Sequence, residues 1–191
     1  MKVLIFGHSY VRDLERLGHT ELTIHNILLH FSYLSFPGAR FVDFLHNPNF
    51  LDKAVSLKPD IILVILGGND ILTDVDLSEV KDNCRNFFHL LRSRLPETFV
   101  IASQIEFRHL REVNRHGSPA EDLYRKLANN FNNWLNKQKF KDKILIVNGV
   151  GKLSNASLFK LDGVHLNVHG LEVLFDLVVS ALFGPIETLN S

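Results

Sequence analysis

The chain has one cysteine, one tryptophan, one methionine and six prolines among its 191 residues. A single thiol, Cys84, excludes an internal disulfide and any cysteine-based metal cluster, and its place in a helical pattern reads as a small core residue. An excess of either charge is also lacking. Lys and Arg together number 21, as do Asp and Glu, so there is no strong signal for nucleic-acid binding. No apolar run reaches the ~18 residues of a membrane span, and the N-terminus shows none of the three parts of a secretory signal. No transmembrane segment and an intracellular, cytoplasmic location are therefore expected. The first strand begins at Lys2, which also suits a domain excised from a longer protein with an added Met. Internal repeats, low-complexity tracts and linkers are absent, which leaves one domain over residues 1–191. Oligomeric state leaves no mark in the sequence.

What is present is an ordinary globular composition, 46% hydrophobic and 22% charged. Apolar, β-branched runs recur at Val3–Phe6, Leu22–Leu29, Ile61–Leu66, Phe99–Ala102 and Ile144–Val147. Those at 3–6 and 61–66 are nearly continuous, as in strands buried on both faces. Helical periodicity fills the intervals: Tyr10–Leu17, a segment around Phe41–Leu57 interrupted by Pro48, Leu77–Leu95, Pro119–Gln138 and Val168–Phe183. Ser118-Pro119-Ala120-Glu121 reads as a capping box with Pro at the first helical position, and Asp76 and Asn167 read as N-caps. Five strands alternating with helices predict a three-layer α/β/α domain with a mostly parallel sheet. In such a sheet, functional groups gather in loops beyond the carboxyl ends of the strands.

Four of those loops carry chemistry. Gly7-His8-Ser9 leads from the first strand into a helix, where Ser9 is a plain N-cap, a nucleophile favoured by the helix dipole, or both. Phe36-Pro37-Gly38-Ala39-Arg40 supplies Gly38, whose N–H can approach a ligand, although Pro-Gly also simply makes a turn. Gly67-Gly68-Asn69-Asp70 turns sharply after the third strand and can aim the Asn69 amide into the crevice. Asp162-Gly163-Val164-His165 sets a carboxylate three residues from an imidazole, spacing that lets Asp162 hold Nδ1–H and leave Nε2 free to accept a proton. A metal site from Asp162, His165 and His169 is the rival use of these residues. It is disfavoured because Asn167 starts a helix between the two histidines. Together the loops offer a nucleophile, oxyanion donors and an oriented base in the order Ser, Asp, His.

On these motifs the sequence resembles the SGNH hydrolases, or GDSL-type esterases and lipases, over residues 3 to about 183. The serine block is similar to Gly7-His8-Ser9, the glycine block to Gly38, the asparagine block to Gly67-Gly68-Asn69-Asp70, and the last block to Asp162-Gly163-Val164-His165-Leu166-Asn167. The resemblance implies a flavodoxin-like parallel sheet of about five strands. It also implies Ser9 as nucleophile, His165 as general base and Asp162 as its orienting acid. The oxyanion hole it implies is the N–H groups of Ser9 and Gly38 with the Asn69 amide, with no cofactor or metal. One departure is that His8 replaces the usual aspartate, which marks His8 as a residue that modulates the pocket. The run His8-Ser9-Tyr10-Val11-Arg12-Asp13-Leu14 with the later Pro37-Gly38-Ala39-Arg40 also resembles the esterase domains of first-open-reading-frame proteins in some LINE-type retrotransposons.

The reading is a serine esterase acting on carboxylic esters, acyl or acetyl, of a small molecule or lipid. The alternative is a catalytically weak module of the same fold that binds an acylated ligand or lipid, with His8 as its main support. Val11 breaks any Gly-x-Ser-x-Gly pattern around Ser9, against the α/β-hydrolase nucleophile elbow. A nucleotide binder of flavodoxin type ranks last, since neither Gly-x-Gly-x-x-Gly nor a P-loop is present. Asp74 and Asp76 do not make a calcium loop, because the glycine and twelfth ligand such a loop needs are missing. Residues 104–118, with Arg108, Arg111, Arg115 and two histidines, either shape the pocket or form a solvated connection. The offsetting Glu106 and Glu112 favour the latter.

Overall fold

A computed structural model describes residues 1–106, 108–110, 117, 119–138, 144–147 and 150–190. Its centre is a six-stranded sheet in the order β2-β3-β1-β4-β5-β6. β1 (Lys2–Gly7), β3 (Ile27–Ser35), β4 (Ile61–Ile65), β5 (Phe99–Ser103) and β6 (Ile144–Val147) run parallel. β2 (Glu21–Ile24) lies antiparallel on the outer edge of β3. Among the parallel strands the chain starts in the middle, steps to β3 on one side, then crosses to β4 on the other. That is the flavodoxin-like order, and its reversal point between β1 and β4 is where such sheets open a crevice.

The expected single strand over Leu22–Leu29 is two strands. His25 and Asn26 both take positive φ, 49° and 64°, and join Ile24 to its partner Ile27 in the geometry of a two-residue hairpin turn. The sheet therefore has six strands rather than five.

Helices cover both faces, as the continuous apolar strands require. Leu4, Phe6, Ile62, Val64, Val100 and Ala102 point into one core with residues of α2 (Phe41–His46), α4 (Leu77–Arg94) and α5 (Glu121–Asn136). Val3, Ile5, Ile61, Leu63, Ile65 and Ile101 point into the other, against α1 (Ser9–Glu15) and α6 (Val168–Asn190). A 3-10 turn at Pro48–Leu51 separates α2 from α3 (Asp52–Leu57), as Pro48 suggested. Cys84 is buried.

Two helix boundaries differ from expectation. α5 starts at Glu121 with Ala120 at the N-cap and no side-chain cap bond. The Glu121 side chain turns instead to Arg125 and His109, and Ser118 lies outside the described residues. α6 runs past Gly184 and Pro185 to Asn190 because Leu174, Val178, Leu182 and Ile186, spaced four apart, are all buried. Packing of that stripe outweighs the proline stop signal. Over residues 168–189 this helix is long and apolar enough, by length and composition, to cross a membrane, yet half of that stretch is buried in the fold. Glu172 and Asp176 interrupt the run in the sequence.

Candidate active site

β1 ends at Gly7, opposite Ile65. A Cβ on Gly7 would lie 2.0 Å from the Ile65 carbonyl oxygen, so glycine alone lets the two central strands stay paired up to the crevice. The next residue, His8, is the N-cap of α1: its Nδ1 accepts from Tyr10 N–H at 3.4 Å. Ser9 is the first helical residue, half-buried, and is not the capping residue. Its N–H is one of the unclaimed donors of a helix start. His8 is 2% exposed, behind Ser9 rather than out in the crevice. Burial, with help from the charges on Arg108 and His165, lowers its pKa to about 3. The imidazole is neutral, and its bond to Tyr10 puts the proton on Nε2.

The loop before α6 holds Asp162 and His165, the candidate acid and base. Asp162 Oδ2 lies 2.8 Å from His165 Nδ1, while Oδ1 accepts from the N–H groups of Val164 and His165, both at 2.9 Å. Partial burial pushes the Asp162 carboxyl up, but the His165 N–H, the His165 ring and the Val164 N–H together leave it below the usual range. The ionised carboxylate thus fixes the imidazole with Nε2 outward. Two bonds seat this loop. The Tyr10 hydroxyl donates to the Val164 carbonyl, so the neighbour of Ser9 holds the neighbour of His165. The His109 N–H donates to the Gly163 carbonyl at 2.7 Å, at a spot where any Cβ on Gly163 would meet His109 O at 2.1 Å. Among the described residues no hydrogen bond joins Ser9 Oγ to His165; such bonds commonly tighten only when substrate is bound.

Gly38 and Asn69 flank the same crevice. Gly38 is exposed, with φ of 83°. The Asn69 amide donates through Nδ2 to Ala39 O at 3.2 Å and accepts at Oδ1 from Arg108 Nη2 at 2.9 Å. Asp70 is buried and accepts from Phe41 N–H at the start of α2, locking the Gly38 loop to the Asn69 loop. Desolvation raises the Asp70 pKa to about 7.

Residues 104–106 and 108–110 are not the solvated connection the charge pattern suggested. Glu106 and Arg108 are 3% and 6% exposed. Arg108 sits over the Tyr124 ring, 5.1 Å from its centroid, and burial raises the Glu106 pKa to about 7. Arg111, Glu112, Arg115 and His116 lie outside the described residues. Tyr10 and Tyr124 were not singled out in the sequence as members of the site, whereas Arg108 was, in a segment with two readings; it follows a strand end, where this fold places its function. His169 turns to Glu172, 3.6 Å away, and no three His, Cys, Asp or Glu side chains gather as metal ligands among the described residues.

The fold recurs in solved structures. A protein from Streptococcus pneumonia named for platelet activating factor superposes with a TM-score of 0.70 at 17% identity, over 95% of this chain and 83% of its own. A lipase/acylhydrolase from Enterococcus faecalis gives 0.64 at 17%, over 96% and 95%. A carbohydrate esterase of family 3 from Talaromyces cellulolyticus gives 0.68 at 15%, over 98% and 99%. No curated protein matches the sequence. The model of the GDSL-like lipase/acylhydrolase family matches residues 7–173, a span that runs from the serine loop past the Asp162–His165 pair. The chain belongs to that family, and to its esterases and acylhydrolases its chemistry is to be referred.

Proposed function

We propose that the protein hydrolyses carboxylic esters through Ser9, His165 and Asp162. The observation that carries this reading is the 2.8 Å Asp162–His165 pair, seated beside the start of α1 by the Tyr10–Val164 bond. His165 Nε2 takes the Ser9 hydroxyl proton as Oγ bonds to the ester carbonyl carbon. The resulting oxyanion is met by the N–H groups of Ser9 and Gly38 and the second Nδ2–H of Asn69. Collapse expels the alcohol, which takes the proton back from His165; water, deprotonated by the same imidazole, then releases the acid and frees Ser9.

An open groove of about 620 Å³ is lined by Gly38 together with Phe36, Asp43, His46 and Phe50, space next to one of the proposed oxyanion donors. Solved structures of similar fold include an acetyl esterase and an acetyl xylan esterase, which supports a short acyl group. The neutral, capping His8 supports a working nucleophile loop over a binding module. The test is a fluorophosphonate probe with mass spectrometry, run beside nitrophenyl ester hydrolysis. Labelling is expected on Ser9, and Ser9→Ala should lose both adduct and turnover. A folded protein that neither labels nor turns over would overturn the esterase reading.

A further inference from the structure

An oxyanion donor made from an asparagine side chain has a weakness. The amide has two ends of nearly the same shape, and only one of them donates. If Asn69 turned over, it would offer Oδ1, an acceptor, to the developing negative charge and would repel it. Here the polarity is fixed from behind. Arg108 Nη2 lies 2.9 Å from Asn69 Oδ1, and a guanidinium has no acceptor, so the oxygen must occupy that end. Ala39 O takes one hydrogen of Nδ2, which leaves the other for the crevice.

Arg108 is itself immobilised. It is 6% exposed and lies over the Tyr124 ring. A Cβ on Gly68 would come within 3.2 Å of its Nη2, so the absence of a side chain there gives the guanidinium its place. The segment bearing it is pinned on both sides: Asn132 exchanges two bonds with the Ile105 backbone, and His109 N–H holds Gly163 O. We infer that Arg108 is a positioning residue for ester hydrolysis, acting through Asn69 to present its amide hydrogen to the oxyanion. The inference rests on the reading of Asn69 as an oxyanion donor. A cation bonded to Oδ1 also polarises the amide and strengthens the N–H that faces the crevice.

The test is a double-mutant cycle on nitrophenyl acetate with Asn69→Ala, Arg108→Met and the pair. Asn69→Ala should lower kcat by about 10²- to 10³-fold, the usual loss for one oxyanion donor. Arg108→Met should lower kcat by about 10- to 100-fold, part of that range, with KM changed little. In the Asn69→Ala background, removing Arg108 should cost less than about 2-fold more, because its effect passes through a group already gone. Arg108→Lys, which keeps a donor and the charge, should recover part of the loss, and it serves as the readout if the methionine variant fails to fold. A fully active Arg108→Met, or losses that multiply in the pair, overturns the inference. An unaffected Asn69→Ala removes Asn69 from the hole and the inference with it. Fluorophosphonate labelling of Ser9 in the parent protein reports separately on the esterase reading.

Discussion

His8 stands at the N-cap of α1 with Nδ1 3.4 Å from the Tyr10 N–H, the position where the family pattern carries aspartate. An imidazole accepts a hydrogen bond only while neutral, and burial, which lowers its pKa to about 3, keeps it so. The departure that made His8 suspect thus still supplies a cap to the helix that begins at Ser9. Replacing His8 by Ala should destabilise the protein by about 1 kcal/mol through loss of the cap, read as a shift in the urea midpoint. Asn, which keeps an acceptor within reach, should restore most of it. Equal losses for both variants would show that the ring's packing matters and the cap does not. The role of His8 was hidden in the sequence because nothing in Gly7-His8-Ser9 discloses whether the ring is buried, and burial decides its charge.

At the scale of elements, the hairpin between β2 and β3 is built on a turn its residues tolerate rather than prefer. Both His25 and Asn26 hold positive φ, a conformation asparagine accepts and glycine favours. Asn26→Gly should raise stability by about 0.5–1 kcal/mol while keeping the contact between the His25 and Phe183 rings; thermal unfolding measures it. A loss of stability would mean that Asn26 contributes more than its backbone. The weak turn signal explains why Leu22–Leu29 reads as one strand, since no Asn-Gly or Asp-Gly marks the bend. By contrast β4, Ile61–Ile65, is buried throughout and its unbroken apolar run announces it. The caps at Asp76 and Asn167 were legible for a related reason: each is a local bond, from Ser78 N–H and Gly170 N–H, that needs no tertiary partner. The start of α5 was not, because Glu121 is claimed by His109 from a distant loop.

Across the whole molecule, three buried groups among the described residues, Asp70, Glu106 and His8, pull stability in opposite directions with pH between about 3 and 7. Asp70 and Glu106 have pKa values raised to about 7, so the folded state holds their protons where the unfolded chain has lost them. Their contributions are complete below the unfolded carboxyl pKa values and are lost as pH rises through about 7. His8, lowered from 6.5 to about 3, works the other way: its contribution is complete above 6.5 and is lost as pH falls toward 3. Between pH 5 and 6.5, two carboxyls oppose one imidazole, and stability should fall with rising pH by about 1.4 kcal/mol per unit. Glu106→Gln should flatten that slope, as urea unfolding at several pH values can show. An unchanged slope would mean that Glu106 ionises in the folded protein as freely as in the unfolded one. None of this was readable in the sequence, where Glu106 and Arg108 belong to a charged stretch. The alternation of strands and helices and the loops holding Ser9, Gly38, Asn69, Asp162 and His165 were readable from periodicity and strand ends, whereas the flavodoxin-like sheet came from the family resemblance.

The seating of the Asp162–His165 loop also has a consequence for the order of synthesis. Ser9 is synthesised before Gly38 and Asn69, and Asp162 and His165 come more than ninety residues after Asn69. Their loop is held by bonds reaching back to Tyr10 and His109. A nascent chain can therefore assemble β1, β3 and β4 with Ser9 in place before the residue proposed as its base exists. Under the proposed roles, the Ser9 hydroxyl gains its base only once the Asp162–His165 loop is made and seated.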